Sequence, residues 1–330
     1  MGFPDPGPVI AAAGQATSDI DLVISAYDAV RRGPAVLAQT LLTLDHATRG
    51  RVVLALGAGE LKQLVGYGYS RKDALAKQSD NLRCLRALLD SGGEPTHVQG
   101  EHWRLDGGRL PIRPYGELPP PIWSTPGPSW DVLGANADGL LTSLRRHRGG
   151  IDGFRRDVET FRIATARAGR DPDRTQVAGV VLCMIAEDDA TLKEMMNSRV
   201  ARFYTLLLGA DRGEHWRDKG YRHPLGDSWG YARSAAPGRA TADELNAAVD
   251  QVPAQAVGDL AFFAGTRDRV CETLAQYVAA GLTYASIVDY SGRIDSSLAQ
   301  NARDNVEYLV TELQRLPAWS PPGRTVPAPR

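Results

Sequence analysis

The chain has 330 residues, with 38 Lys and Arg against 39 Asp and Glu and a formal net charge of −1. That balance offers no long-range field for nucleic acid or an anionic membrane, and no apolar run reaches the ~18–20 residues needed to cross a bilayer. Met1 is not followed by a charged and then apolar leader, and the three cysteines (Cys84, Cys183, Cys271) have no metal-ligand spacing. A soluble α/β protein of a reducing, cytoplasmic compartment is expected, without metal.

The opening Met1–Pro8 reads as a Pro/Gly loop, followed by a short helix over Ala11–Ala16 and a strand over Ile20–Ala26. Pro34 suits the first turn of a helix whose apolar face runs through Leu37, Leu41 and Leu44. Next comes Arg51–Glu60, the stretch around which the chain is organised. Val52–Leu56 is apolar without alternation, as a strand covered on both faces requires. It stops at Gly57-Ala58-Gly59, where a ligand can approach the backbone closely, and presents Glu60 just beyond.

Ser70 reads as the cap of a helix whose face carries Leu75, Leu82, Leu85 and Leu89; a hairpin is expected across 97–114. Further strands are expected at Ile122–Ser124, Gly139–Ser143, Val177–Ile185 and Tyr284–Val288, and further helices at Ser129–Asn136, Asp152–Ala168, Asp188–Leu208, Thr266–Ala280 and Leu298–Leu316. Residues 209–265 lack clear periodicity and read as an inserted lid or binding loop. Arg145, Arg146, His147 and Arg148 read as a solvated loop, with a phosphate contact as the alternative. Residues 317–330 read as a Pro-rich disordered tail. Alternating strands and helices imply a parallel sheet; the six strands counted leave an open doubly wound sheet possible from pattern alone.

Three ordered stretches resemble the luciferase-like monooxygenase superfamily. They are RRGPAVLAQTLLTLDHATRGRVVLALGAGE (31–60), the Ser70 helix, and PPPIWSTPGPSWDVLGANADG (119–139). Within it, the chain resembles the branch of reductases and dehydrogenases that use the deazaflavin coenzyme F420. HWRDKGYRHPLGDSWG (215–230) and FFAGTRDRVCETLAQYVAAGLTYASIV (262–288) resemble its subgroup of phthiodiolone and phenolphthiodiolone dimycocerosate ketoreductases. The resemblance implies a TIM (β/α)8-type barrel with insertions, as one domain over 1–316. The first residues resemble the loop before the family's third strand, so the first strand, first helix and second strand are expected to be absent.

The resemblance also implies a site. The Ser25–Ala26 bond matches a non-proline cis peptide that backs the deazaflavin ring. Gly57, Ala58 and Gly59 leave room for that ring, and Glu60 matches a carboxylate acting as an acid in some related dehydrogenases. Thr125, Gly127 and Pro128 match a turn whose backbone N–H groups hold the cofactor phosphate; Pro126 lacks an N–H, for which the Thr125 hydroxyl and the Gly127 and Ser129 amides compensate. His223 and Trp229 are candidates for the substrate wall, as are Trp103 and His215, each with packing as the alternative. The implied activity is hydride transfer between F420 and a small or lipid-like carbonyl or secondary alcohol, with a homodimer possible. An FMN-dependent monooxygenase and a truncated, non-catalytic cofactor-binding protein are the alternatives.

Overall fold

The apolar run after Arg51 forms a strand buried along its whole length, as two-sided cover requires. In the computed structural model, β1 (Leu22–Asp28) and β2 (Val52–Gly57) pair in parallel, Leu22 with Val52 and Asp28 with Gly57. The register slips between Ile24 and Tyr27, on either side of Ser25–Ala26. A two-stranded antiparallel ribbon, β3 (Thr96–Val98) with β4 (Leu105–Gly108), occupies the predicted hairpin. Beyond it, β5 (Ile122–Ser124) pairs in parallel with β2 on one side and with β6 (Gly139–Ser143) on the other.

The structure describes residues 4–209, 212–236 and 238–316, which fall into two units, 4–141 with 159–176 and 142–158 with 177–316. The expected tail at 317–330 lies outside the described residues. In the first unit, the helices Pro34–Ala47 and Ala74–Asp90 lay Leu37, Leu41, Leu82 and Leu85 against Ile24, Leu54, Leu56 and Ile122. In the second, β7 (Gln176–Ile185) pairs in parallel with β8 (Phe263–Gly265) and with β9 (Tyr284–Asp289). There, Val177, Val181 and Phe263 pack with Leu274, Tyr277, Leu309 and Leu313 from the helices Arg267–Ala279 and Ala299–Gln314.

Several expectations are corrected. The first helix starts at Pro6, not Ala11: Asp5 caps the Gly7 N–H at 3.0 Å, and Pro6 sits in the first turn, where its missing N–H costs nothing. The same carboxylate accepts the Tyr27 hydroxyl at 2.7 Å. The first strand runs to Asp28, and Ile20 is exposed. Ser70 does not cap the next helix; its Oγ accepts the Lys72 N–H, and the helix begins at Ala74 after a left-handed Asp73.

The single helix expected over Asp188–Leu208 breaks at Ser198, whose extended backbone and hydroxyl cap a second helix, Arg199–Leu208. The stretch 209–265 contains strand β8, too short to announce itself by period, and a capping box at Thr241 and Glu244. Its apolar residues close into a small core of Trp216, Ala248, Val249, Val252 and Leu260 with Leu206. Among the described residues no helix is long and apolar enough to cross a membrane, and no metal-holding cluster is present.

Candidate functional site

At the carboxyl ends of β1, β2 and β5 the chain has few side chains. The Ser25–Ala26 peptide is cis. A Cβ built on Gly57 would lie 3.5 Å from Thr125 Oγ1, 3.6 Å from Thr125 Cγ2 and 3.8 Å from Ala26 Cβ, so three neighbouring strands converge on one small floor. Gly59 has φ of 79°, a left-handed conformation that glycine adopts without strain, and this turns the chain away from that floor. Ala58 is buried with Val30, Leu64 and Ala74.

Glu60 stands at the start of a single helical turn, Leu61–Leu64, with its side chain one-third exposed. Its Oε2 is 3.0 Å from Lys62 Nζ and accepts from Gln63 Nε2 at 3.3 Å. Oε1 has no partner among the described residues.

The turn after β5 is tied down from beneath. The Thr125 N–H donates to Leu56 O at 2.8 Å. Gly127 packs closely: a Cβ there would come 2.7 Å from Leu75 Cδ2 and 3.1 Å from Gln78 Oε1, so both side chains would have to shift. Pro128 is buried, and the Ser129 hydroxyl accepts the Val132 N–H at 3.4 Å.

Two residues here escaped the reading by pattern. Asp28, 4% exposed, ends β1; its carboxylate accepts the backbone N–H of Val30 and Arg31 and the Arg31 guanidinium at 2.7 Å. Gln78, fully buried, reaches from the helix Ala74–Asp90 to Leu56, Ser124 and Thr125. The available signals were an Asp and an Arg three apart at a strand end, and an amide in an apolar helical row.

The second unit holds His223 and Trp229. His223 is 5% exposed; its Nε2 donates to Leu206 O and its Nδ1 accepts the Leu225 N–H, both at 3.1 Å. The ring stacks on Trp229 at 4.7 Å and meets the edge of Trp216 at 4.6 Å. Burial lowers its pKa, against the opposing pull of the Leu206 carbonyl. With both nitrogens bonded to the backbone, the His223 ring is held firmly within this cluster. Trp103, in the first unit, donates its Nε1–H to Ala29 O at 3.1 Å and packs on Gly33.

The basic cluster is also not a solvated loop throughout. Arg145 donates to Gly258 O at 2.9 Å and Phe262 O at 2.5 Å and lies over the Phe263 ring. His147, its side chain 7% exposed, lies between Thr142 Oγ1 at 3.0 Å and Asp157 Oδ2 at 2.6 Å.

The luciferase-like monooxygenase family matches residues 1–284. The phthiodiolone/phenolphthiodiolone dimycocerosates ketoreductase of Mycobacterium tuberculosis (strain CDC 1551 / Oshkosh) is 29% identical over 276 residues, 83% of this chain and 71% of that protein. Among solved structures, an F420-dependent secondary alcohol dehydrogenase in complex with an F420–acetone adduct is similar with a TM-score of 0.66 at 19% identity, over 93% of this chain and 84% of that one. The coenzyme F420 dependent tetrahydromethanopterin reductase of Methanopyrus kandleri gives a TM-score of 0.63 at 17% identity, over 91% and 87% of the two chains. The likeness to these structures shows the fold, the α/β barrel type expected from the sequence. Matched over most of its length, this chain belongs to the luciferase-like monooxygenase family.

Proposed function

We propose that the carboxyl ends of β1, β2 and β5 hold the deazaflavin coenzyme F420, and that the enzyme moves a hydride between it and a carbonyl or secondary alcohol of a small or lipid-like substrate. The observation that carries this reading is the floor made by Ala26, Gly57 and Thr125, where the missing Gly57 side chain leaves ordinary contact distances of 3.5–3.8 Å. A flat ring fits such a floor and a branched side chain would fill it. The two F420-dependent structures support the choice of cofactor, and the name of the ketoreductase relative supports a carbonyl substrate.

Ser25, Ala26, Gly57, Ala58 and Gly59 would back the ring. The Thr125 hydroxyl and the N–H groups of Gly127 and Ser129 would hold the phosphate, with Pro128 fixing the turn. When bound, F420 supplies or accepts the hydride; the protein supplies orientation and a proton. Glu60 is the residue we assign to the proton, held at Oε1 while Oε2 stays against Lys62 and Gln63.

The test is a fluorescence titration of the whole protein with F420 and with FMN, followed by a panel of ketones and secondary alcohols monitored at the deazaflavin absorbance. Tighter binding of F420 with turnover of one substrate class is the expected result. Preference for FMN with oxygen consumption would transfer the site to monooxygenase chemistry. F420 binding without turnover would leave a cofactor carrier, and binding of neither would remove the proposal.

A further inference from the structure

The inner face of the helix Ala74–Asp90 is apolar at Ala74, Leu82, Leu85 and Leu89, yet Gln78 stands in the same row, fully buried. Its Nε2 is within hydrogen-bond distance of four acceptors: Ser124 Oγ and Thr125 O at 3.0 Å, Thr125 Oγ1 at 3.2 Å and Leu56 O at 3.3 Å. Two N–H groups are shared among them. Rotating the amide by half a turn would set Oε1 against two carbonyl oxygens, so the donor orientation is fixed. It is kept although Oε1 is then buried beside Gly127 with no partner among the described residues. A buried orphan of this kind calls for an explanation.

Thr125 supplies it. A hydroxyl has one proton to give and two lone pairs to receive. Gln78 occupies a lone pair of Thr125 Oγ1, and the neighbouring Ser124 hydroxyl spends its own proton on Thr125 O at 3.0 Å. The Thr125 proton has no acceptor among the described residues, and Thr125 Oγ1 is 3.5 Å from the position a Gly57 side chain would take.

We infer that Gln78 is a positioning residue: it holds the Thr125 hydroxyl as an outward hydrogen-bond donor to an oxygen acceptor of the bound cofactor, from its phosphate or from its sugar-like tether. The inference rests on the F420 reading above and adds to it the polarity of one contact and the residue that sets it. A Gln78→Met variant keeps the shape and removes the donor, so the Thr125 proton is free to turn inward. A Gln78→Glu variant goes further, because its carboxylate accepts that proton.

The experiment measures dissociation constants by fluorescence titration for F420 and for the same deazaflavin without its phosphate tail. The proteins are the wild type, Gln78→Met, Gln78→Glu, Thr125→Ser, Thr125→Val and the double variant Gln78→Met/Thr125→Val, each checked for its melting transition. Expected are about a tenfold loss of F420 affinity in Gln78→Met and in Thr125→Val, no further loss in the double variant, a larger loss in Gln78→Glu and near wild-type binding in Thr125→Ser. A loss confined to the phosphate-bearing ligand names the phosphate as acceptor; an equal loss for both ligands names the tether. An equal factor for Gln78→Met with and without the Thr125 hydroxyl would show packing alone and overturn the inference. So would full affinity in Thr125→Val, a result that stands even if the Gln78 variants do not fold. A wild type that binds no F420 removes the functional reading and the inference with it.

Discussion

The two ends of β2 are built on opposite rules. At the amino end, Arg51 is 4% exposed, and all five of its N–H donors are used: on Thr48 O, on Thr17 Oγ1 and Ile20 O, and on Gly14 O and Thr17 O, at 2.7–3.0 Å. No carboxylate takes part in these bonds; carbonyls and one hydroxyl do the whole work of replacing water around a guanidinium. At the carboxyl end, six residues away, side chains are withdrawn at Gly57 and Gly59, and among the described residues Glu60 Oε1 and the Thr125 hydroxyl proton have no partner. One end has its polar groups saturated by its own chain, which makes stability. The other, among the described residues, leaves selected groups unsatisfied on a rigid strand, the arrangement that the proposed cofactor site calls for.

The largest expected effect breaks the saturated end. Arg51→Met should leave the buried Gly14 and Thr48 carbonyls and the part-buried Thr17 and Ile20 carbonyls without this donor and cost roughly 3–5 kcal/mol, read as a lowered urea midpoint with an unchanged slope. The folded fraction should bind F420 as before. If stability instead stays within about 0.5 kcal/mol, the amino end is not what holds β2 in place. At the open end the expectation is reversed. Glu60→Gln should lower kcat about a hundredfold while leaving the F420 dissociation constant and the unfolding midpoint unchanged. An equal fall in cofactor affinity would show that Glu60 holds the cofactor rather than a proton.

How much of this was legible follows the same division. The unbroken apolar run Val52–Leu56 announced a strand covered on both faces, and Gly57 with Gly59 announced its sharp exit, because composition over a few residues decides both. The cis bond at Ser25–Ala26 came only through the family resemblance, since nothing in a Ser-Ala pair demands it. Gln78 was not found: its partners Ser124 and Thr125 lie 46 and 47 residues along the chain, and period-based reading sees only that the helix has an apolar face. The anchoring of His223 was not legible for a related reason: the carbonyl that accepts its N–H belongs to Leu206, 17 residues back. Local chemistry announced elements; pairing across the chain decided which polar groups were spent.

A smaller perturbation probes the exit itself. Gly59→Ala forces a side chain into a backbone with φ of 79°, where its Cβ would stand 3.1 Å from Asp28 Cβ and 3.2 Å from Leu64 Cδ1. The cost should be about 1–2 kcal/mol in thermal or urea unfolding, with F420 affinity falling alongside because the floor beside Gly57 shifts. Loss of stability with unchanged affinity would separate the turn from the site.

The smallest effect concerns the Trp216–His223–Trp229 cluster, a second place where the chain saturates its own polar groups. Burial lowers the pKa of His223 below its ordinary 6.5, so at pH values between the two the unfolded chain binds a proton that the folded chain refuses. The sign follows: the cluster's contribution is complete above about pH 6.5 and declines as pH falls through the folded pKa, with a slope of at most about 1.4 kcal/mol per pH unit for one proton. His215 shifts in the same direction, through burial and then the Arg148 charge, so the wild-type curve contains both. His223→Gln isolates the first: its amide can donate to Leu206 O and accept from Leu225 N, and it does not titrate. Urea unfolding from pH 7.5 to 5 should show a steeper decline in the wild type than in His223→Gln. Parallel curves would mean that His223 takes up its proton in the folded state after all, and that the stacked pair it forms with Trp229 opens to water.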